Sequence, residues 1–350
     1  MRSSNIDEQF RRPGTARVTA PLAVSMGDPA GIGPEIIAKA WARRHAEALP
    51  PFVAIGDIGA IARVWDGPVA RITDLADVAR AFDGALPVLT IDDAGEIVPG
   101  TPDVEGARCA IRALELGAGL VQSGAARALV TGPVSKAQLY AIGFTYPGQT
   151  EFVAERCGIS RDNAVMMLAG PGLRVVPMTT HVPLADVFDL LTIELVLAKA
   201  RVTARGLDRN FGIAAPRLAF AGLNPHAGES GAIGREEIDV LIPAIDQLRA
   251  EGIDARGPFA ADTMFHASAR ADYDVAMCGY HDQALIPIKT LYFDEGVNIT
   301  LGLPIVRTSP DHGTAFGIAG QDRAHPGATI AAIRMAAAAA DHRAASAEAG

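Results

Sequence analysis

Short runs of Val, Ile, Leu and Ala alternate with longer stretches of helical periodicity along most of this chain. That alternation limits the fold more than any other feature, because strands joined by helical segments build βα units around a mostly parallel sheet. Pro21–Ser25, Phe52–Ile55, Val88–Ile91, Ala128–Thr131, Ala164–Leu168, Val175–Met178, Leu218–Ala221, Val275–Cys278 and Val297–Leu301 read as strands. Helices are predicted over Pro34–His45, Val104–Gln122, Thr192–Arg205, Glu236–Ala250 and the Ala-rich Ala328–Ala345. Pro34 suits a first helical turn, where its missing N–H costs nothing, and Asp103 is placed to cap the helix after it. A chain of 350 residues buries enough core for two lobes. No repeat or low-complexity linker marks where one lobe passes into the other.

Hydrophobic residues at 49% and charged residues at 20% fit a soluble globular enzyme. The net charge of −9 argues against nucleic acid as the main partner, so an anionic substrate must meet a local cationic pocket. Cys109, Cys157 and Cys278 are scattered without C-x-x-C spacing, which suggests a reducing compartment and small buried side chains rather than a disulfide framework. No apolar stretch reaches the ~18 residues of a membrane helix. The first 20 residues mix Arg2, Arg11, Arg12 and Arg17 with Asp7 and Glu8 and lack an apolar h-region, so they read as a flexible arm. A cytoplasmic location is the expectation.

Three strand-like runs, Leu173–Met178, Leu218–Gly222 and Asp274–Cys278, each lead into a short polar loop bearing a histidine. The loops are Thr180-His181-Val182-Pro183, Asn224-Pro225-His226-Ala227-Gly228-Glu229 and Gly279-Tyr280-His281-Asp282-Gln283. Loops at strand ends converge on the ligand crevice of an open α/β sheet. Three imidazoles delivered there suit a catalytic divalent metal with an open coordination position. The chain has only 8 His. Ligands this far apart form no local motif, so three unrelated loop histidines with local hydrogen bonds remain the alternative at this level.

Two glycine-rich loops are candidates for holding a nucleotide. Met26-Gly27-Asp28-Pro29-Ala30-Gly31-Ile32-Gly33-Pro34-Glu35 follows the first strand and opens a helix. It is not G-x-G-x-x-G, because Ile36 stands where the third Gly belongs, and Gly132-Pro133-Val134-Ser135-Lys136 is not a P-loop. A tight turn and a ligand site both use such glycines. The second loop is Ser309-Pro310-Asp311-His312-Gly313-Thr314-Ala315-Phe316-Gly317-Ile318-Ala319-Gly320, where Asp311 suits a ribose hydroxyl. Its alternative is a connection into a helix capped by Thr314.

Gly27–Glu35 and His312–Ala315 resemble the isocitrate/isopropylmalate dehydrogenase fold. Within it the chain is similar to the 4-hydroxythreonine-4-phosphate dehydrogenase family of pyridoxal phosphate biosynthesis. The resemblance runs from about Pro21 to about Gly320 and also covers Thr131–Lys136, Thr179–Pro183, Ala261-Asp262-Thr263, His281-Asp282-Gln283 and Asn298–Asp311. It implies a two-lobed α/β/α architecture with a mostly parallel sheet and an active-site cleft between the lobes. Residues 21–135 with 285–350 would form the first lobe, and 136–284 the second, bearing metal ligands and dimer contacts.

Carried over residue by residue, the resemblance makes His181, His226 and His281 ligands of a divalent metal (zinc, cobalt or magnesium). Gln149, Thr150, Lys289, Asn298 and Arg307 fall on substrate-binding positions. Asp311, His312, Gly313, Thr314 and Ala315 fall on the NAD or NADP site. Lys136, Asp262 and Asp282 are the candidate catalytic groups. The family also implies a homodimer in which His181 and His226 share one subunit and His281 crosses from the other. Two departures stand out. Gln149 replaces a histidine and cannot titrate near neutrality, and Gly317 replaces a common Asp.

The implied reaction oxidises C3 of 4-phosphooxy-L-threonine, with hydride passing to the nicotinamide, and then decarboxylates the β-keto acid to 3-amino-2-oxopropyl phosphate. One Lewis acid would serve both steps. A threonate or erythronate 4-phosphate dehydrogenase, a dihydrodiol dehydrogenase and a three-His metal hydrolase are the rivals. Retention of Thr150, Lys289, Asn298 and Arg307 favours a phosphorylated substrate over a dihydrodiol, and the nucleotide loop argues against a hydrolase.

Overall fold

The computed structural model describes residues 20–91 and 95–348, so the expected N-terminal arm lies, apart from Ala20, outside the described residues. The described strands are β1 (Leu22–Ser25), β2 (Phe52–Gly56), β3 (Val69–Ile72), β4 (Leu86–Thr90), β5 (Leu129–Thr131), β6 (Val165–Gly170), β7 (Leu173–Pro177), β8 (Leu218–Ala221), β9 (Ala255–Phe259), β10 (Val275–Cys278), β11 (Val297–Leu301) and β12 (Arg307–Pro310). The longer helices are α1 (Gly33–Ala42), α2 (Val104–Gln122), α3 (Gln149–Arg156), α4 (Ile193–Phe211), α5 (Ile242–Ala250), α6 (His281–Tyr292) and α7 (Gly327–Glu348).

Packing groups the described residues up to Ile159 with those from Pro304 onward, and Ser160–Leu303 by themselves. The resemblance implied divisions at 135/136 and 284/285. Two sets of contacts accompany the grouping found by packing. Helix α3 is tied to α2, with Arg156 pairing with Glu115 at 3.0 Å and Gln122 Nε2 donating to the Arg156 carbonyl at 2.8 Å. Helix α6 packs on β7 and β10.

In the first unit the strand order is β3-β4-β2-β1-β5-β12, and the pairings are parallel. Strands β1 and β2 are buried along their whole length, as parallel strands covered on both faces are. Pro34 sits in the first turn of α1, and Asp103 caps α2 by accepting from the Gly106 amide at 2.7 Å. Strand β12 escapes a hydropathy reading because it spells Arg-Thr-Ser-Pro, yet it is fully buried. The polar groups are satisfied instead of excluded: Thr308 Oγ1 donates to the Ala332 carbonyl of α7 at 2.9 Å. Strand β3, half-exposed at the edge, also lacks a sequence signal.

The second unit has the order β11-β6-β7-β10-β8-β9. Strands β6 and β7 form an antiparallel hairpin, β11 is antiparallel to β6, and the remaining pairings are parallel. Strand β9 reads as a turn in sequence because of Gly257-Pro258; at a sheet edge such residues are tolerated. The mostly parallel α/β architecture expected from the sequence is therefore the one found. Cys109 and Cys278 are buried as expected, burial pushing the Cys109 thiol to about 12, whereas Cys157 is half-buried.

Two helix boundaries need correction. The predicted helix Glu236–Ala250 opens with a π-turn, Glu237–Leu241, before α5 begins. His281-Asp282-Gln283, read as a loop, is the first turn of α6. Pro287 inside that helix hides it, since an interior proline removes a backbone donor and argues against helix.

Candidate active site

Strands β1, β5 and β12 are adjacent and parallel, so their carboxyl ends deliver three loops to one edge of the first unit. The glycine-rich loop after β1 is held by the other two: the Asp28 amide donates to the Pro133 carbonyl at 2.9 Å, and the Ile32 amide to the Thr314 carbonyl at 3.0 Å. Gly27, at φ +75°, could not carry a side chain, because a Cβ there would lie 2.2 Å from the Pro133 oxygen. A Cβ on Gly33 would lie 1.9 Å from the Met26 oxygen. These glycines serve backbone packing, the tight-turn alternative. Gly313 and Gly317 in the late loop differ, with no atom within 4 Å of where a Cβ would stand.

Asp28 is 1% exposed within this cluster, its Oδ1 accepting from the Ala30 amide at 3.1 Å. Burial raises its carboxyl to about 6, opposed by the Ala30 hydrogen bond and reinforced by the charge of Asp103. In the late loop His312 and Asp311 are half-buried and Gly313 and Ala315 exposed, with Ala315 left-handed at φ +44°. His312 Nδ1 donates to the Gly313 carbonyl at 3.1 Å. Thr314 does not cap the following turn: Phe316–Ile318 is a 3-10 turn whose capping position is Ala315, with no side-chain bond.

Arg307 opens β12 and is 3% exposed. Its Nη1 donates to Thr150 Oγ1 at 3.2 Å and its Nη2 to Thr131 Oγ1 at 2.6 Å. Burial lowers its pKa to about 10, with the charge of Glu151 opposing, so it stays cationic at neutral pH. Thr150 and Gln149 lie in the first turn of α3. Gln149 Nε2 donates to the Gly132 carbonyl at 3.0 Å, while its buried Oε1 has no protein partner. Thr131, the last residue of β5, was no candidate from the sequence, though it lies in a motif that carries the resemblance.

The second unit holds the histidines. His181 follows β7, and His281 opens α6 just after β10, the strand paired with β7. Their ring centres are 5.6 Å apart and tilted by 43°. Two imidazoles bonded to one ion at ~2.0–2.1 Å place their ring centres about 5–6 Å apart, so this pair fits a shared divalent ion. His281 Nδ1 donates to Asp282 Oδ1 at 2.7 Å, which leaves Nε2 for a metal and matches the carboxylate support usual behind a ligating imidazole. Asp282, named above among the candidate catalytic groups, therefore stands behind the His281 imidazole.

His226 is carried by the loop after β8. It sits exposed at φ +53° in a run of left-handed turns. Among the described residues no three His, Cys, Asp or Glu side chains of one chain gather where they could hold a metal ion. Within one chain His181 stands beside His281.

The remaining candidates lie on four separate elements. Lys136 begins the short helix Lys136–Ala141 and is exposed. Asp262 is exposed on the 3-10 turn Ala261–Thr263 and caps nothing; the capping position is Ala260. Lys289 is half-buried in the last turn of α6, and Asn298 lies on β11 with its Oδ1 buried and without a protein partner. No helix among the described residues is long and apolar enough to cross a membrane.

Comparison with known proteins identifies the family. The family model described as pyridoxal phosphate biosynthetic protein PdxA matches residues 48–336. A 4-hydroxythreonine-4-phosphate dehydrogenase from Zymomonas mobilis is 61% identical over 323 residues, which cover 92% of this chain and 96% of the relative. The crystal structure of a 4-hydroxythreonine-4-phosphate dehydrogenase from Klebsiella pneumoniae superposes with a TM-score of 0.81 at 35% identity, covering 92% of this chain and 99% of that one. A terephthalate 1,2-cis-dihydrodiol dehydrogenase from Burkholderia xenovorans gives 0.63 at 30% identity, covering 91% and 98%. The chain belongs to the pyridoxal phosphate biosynthetic protein PdxA family and, like these relatives, is a dehydrogenase.

Proposed function

We propose that this dehydrogenase oxidises 4-phosphooxy-L-threonine at C3 with NAD or NADP and then releases carbon dioxide to leave 3-amino-2-oxopropyl phosphate, a step of pyridoxine 5'-phosphate biosynthesis. The observation that carries this reading is the Arg307 clamp. A guanidinium 3% exposed and braced by Thr150 and Thr131 is a pre-paid anion site, which an acidic protein needs for a phosphorylated substrate. By the resemblance, Lys289 would add a cation and Asn298 an amide to the substrate contacts. The relative named for this substrate shares 61% identity, against 30% for the one named for a dihydrodiol.

His181, His226 and His281 would hold a divalent ion, which when bound supplies Lewis acidity toward the substrate hydroxyl and the later ketone. Asp282 fixes the ring of His281 through Nδ1. Among the candidate groups the Asp262 carboxylate would take the hydroxyl proton as hydride leaves C3 for the nicotinamide, and the Lys136 ammonium would donate to the oxygen that carries the developing charge. The C–C bond to the carboxylate then breaks and its electron pair passes toward the new ketone. Gln149 Oε1, an acceptor that cannot titrate, offers a hydrogen bond to a substrate donor. The late loop, with Gly313 and Gly317 open to close approach, would receive the nucleotide.

A homodimer completes this reading. Leu184, Phe188 and Leu190 after His181, and Ile286 and Phe293 beyond His281, are exposed large apolar side chains, Phe293 at 74%. A second copy of the chain would cover them. Steady-state rates with 4-phosphooxy-L-threonine, 4-phosphoerythronate and 4-phosphothreonate, each with NAD and NADP, test the assignment at the reduced-nicotinamide absorbance band. A higher kcat/KM for either sugar acid than for the amino acid overturns it.

A further inference from the structure

Five consecutive residues after β8 adopt left-handed conformations: His226 (φ 53°), Ala227 (52°), Gly228 (77°), Glu229 (43°) and Ser230 (57°). Left-handed backbone is unfavourable for every residue here but the glycine, and it persists only where the surroundings over-determine it. One buried side chain braces the base of this run. Glu237 is 2% exposed and opens the π-turn that follows. Its Oε1 accepts from the Leu223 and Asn224 amides at 2.7 and 2.8 Å, and its Oε2 accepts from Asn224 Nδ2 at 3.0 Å. Asn224 Nδ2 also reaches Glu236 Oε2 at 2.5 Å. A Cβ on Gly228 would lie 2.5 Å from Glu237 Oε2, so the loop folds directly over this carboxylate.

All three groups facing Glu237 are donors. Only a side chain with two acceptor oxygens satisfies them at once. An amide in its place turns its NH2 toward either the backbone amides or Asn224 Nδ2, and one contact becomes donor against donor. The π-turn adds a residue to the helical register, a local irregularity of the kind found at functional sites, and the helix regains ordinary geometry at α5. Leu223 and Asn224 lie immediately before Pro225 and His226, so whatever fixes their amides fixes where the His226 imidazole is presented.

We propose that Glu237 is the positioning residue for His226: its buried carboxylate locks the base of the left-handed loop and sets the imidazole in place for a divalent cation. The proposal rests on the reading of His226 as a metal ligand. Glu237 touches neither substrate nor cation; it acts through the backbone of Leu223 and Asn224.

Metal-stripped, full-length protein titrated with Co2+, by calorimetry and by visible absorbance, tests this in the parent and in Glu237→Gln, Glu237→Asp and His226→Ala. Glu237→Gln is expected to weaken Co2+ binding by about 10–100-fold, the loss typical when support behind a ligand is removed. It should also alter the visible band of the Co2+-saturated protein as His226→Ala does, with the far-ultraviolet circular dichroism of the parent. Glu237→Asp, which keeps the charge, should recover part of the affinity. A merely structural role would lower the melting temperature and leave the saturated band unchanged; that result overturns the proposal. Parental Co2+ binding by His226→Ala sinks the ligand reading and this proposal with it, whereas loss in His226→Ala alone sinks only the role of Glu237. Should Glu237→Gln not fold, Asn224→Ala removes one leg of the same lock, and a parental affinity and band in that variant overturn the proposal equally.

Discussion

The Arg307 clamp and the histidine loops place functional side chains by opposite means. Arg307 is buried, begins a strand inside a parallel sheet, and has both guanidinium ends held by threonines of its own unit. His181 and His226 are exposed, sit at positive φ, and do not close with His281 into a three-ligand group within one chain. An anion site gains from being built in advance: a desolvated cation with fixed forks loses little entropy when phosphate arrives. Imidazoles for a divalent ion need an open approach and a third ligand, which strand-end loops at a surface can offer to a second copy of the chain. The difference predicts that the clamp is complete in a monomer and the metal site is not.

The largest effect should come from the histidines. Replacing any one of them by Ala is expected to lower kcat by about 10³-fold, since Lewis-acid stabilisation is worth several kcal/mol. Mixing inactive variants under subunit exchange then shows which ligand crosses. If His181 and His281 act from one chain, as their 5.6 Å separation suggests, His181→Ala mixed with His226→Ala regains activity and His181→Ala mixed with His281→Ala does not. If His281 crosses, as the family resemblance implies, only the second mixture revives. Neither mixture reviving after verified exchange means each site is built within one chain, and the contrast with the clamp collapses.

Next in size is the clamp itself. Arg307→Met should raise KM for the phosphorylated substrate about 10–100-fold, the worth of hydrogen bonds to a charged group. Arg307→Lys keeps the charge but not the fork and should recover little of it. Both variants should bind Co2+ like the parent; a loss of metal affinity would show that the two regions are not independent.

A third prediction, on stability and not on turnover, concerns Asp28, in the loop that packs against the neighbours of the clamp. Its folded pKa of about 6 lies above the ordinary 3.8, so its contribution is fully present below 3.8 and is lost as pH rises through 6. A shift of about two units corresponds to at most about 3 kcal/mol. Urea unfolding at pH 4 and pH 7 should therefore show Asp28→Asn gaining on the parent by about 2–3 kcal/mol at the higher pH. An unchanged difference across that window would mean that the loop admits water and is not the dry packing its glycines suggest.

Much of the frame was legible. Leu218–Ala221, Val275–Cys278, Val297–Leu301 and Val104–Gln122 appear in the structure with the bounds read from the sequence, because each is a clean apolar or amphipathic pattern ended by capping or turn residues. Strand β12 was not legible, since its burial is compensated by hydrogen bonds and not by hydropathy. Helix α6 was masked by Pro287, and β9 by Gly257-Pro258, two residues whose local preference is overridden by tertiary position. The errors at β12 and α6 fall on candidate site residues, Arg307 and His281.

What the sequence by itself determined is the alternation that builds a mostly parallel α/β chain, the family motifs, and the residue types offered at strand ends. These follow from local periodicity and from side-chain chemistry, which need no neighbours distant in the chain. What only the tertiary structure decided is which of those residues meet. Thr131 and Thr150 bracket Arg307 across more than 150 positions of sequence, His281 stands beside His181 because β10 pairs with β7, and Glu237 reaches back under the His226 loop. Hydrogen-bond satisfaction and strand pairing act between groups remote in sequence, so no window of the chain contains them.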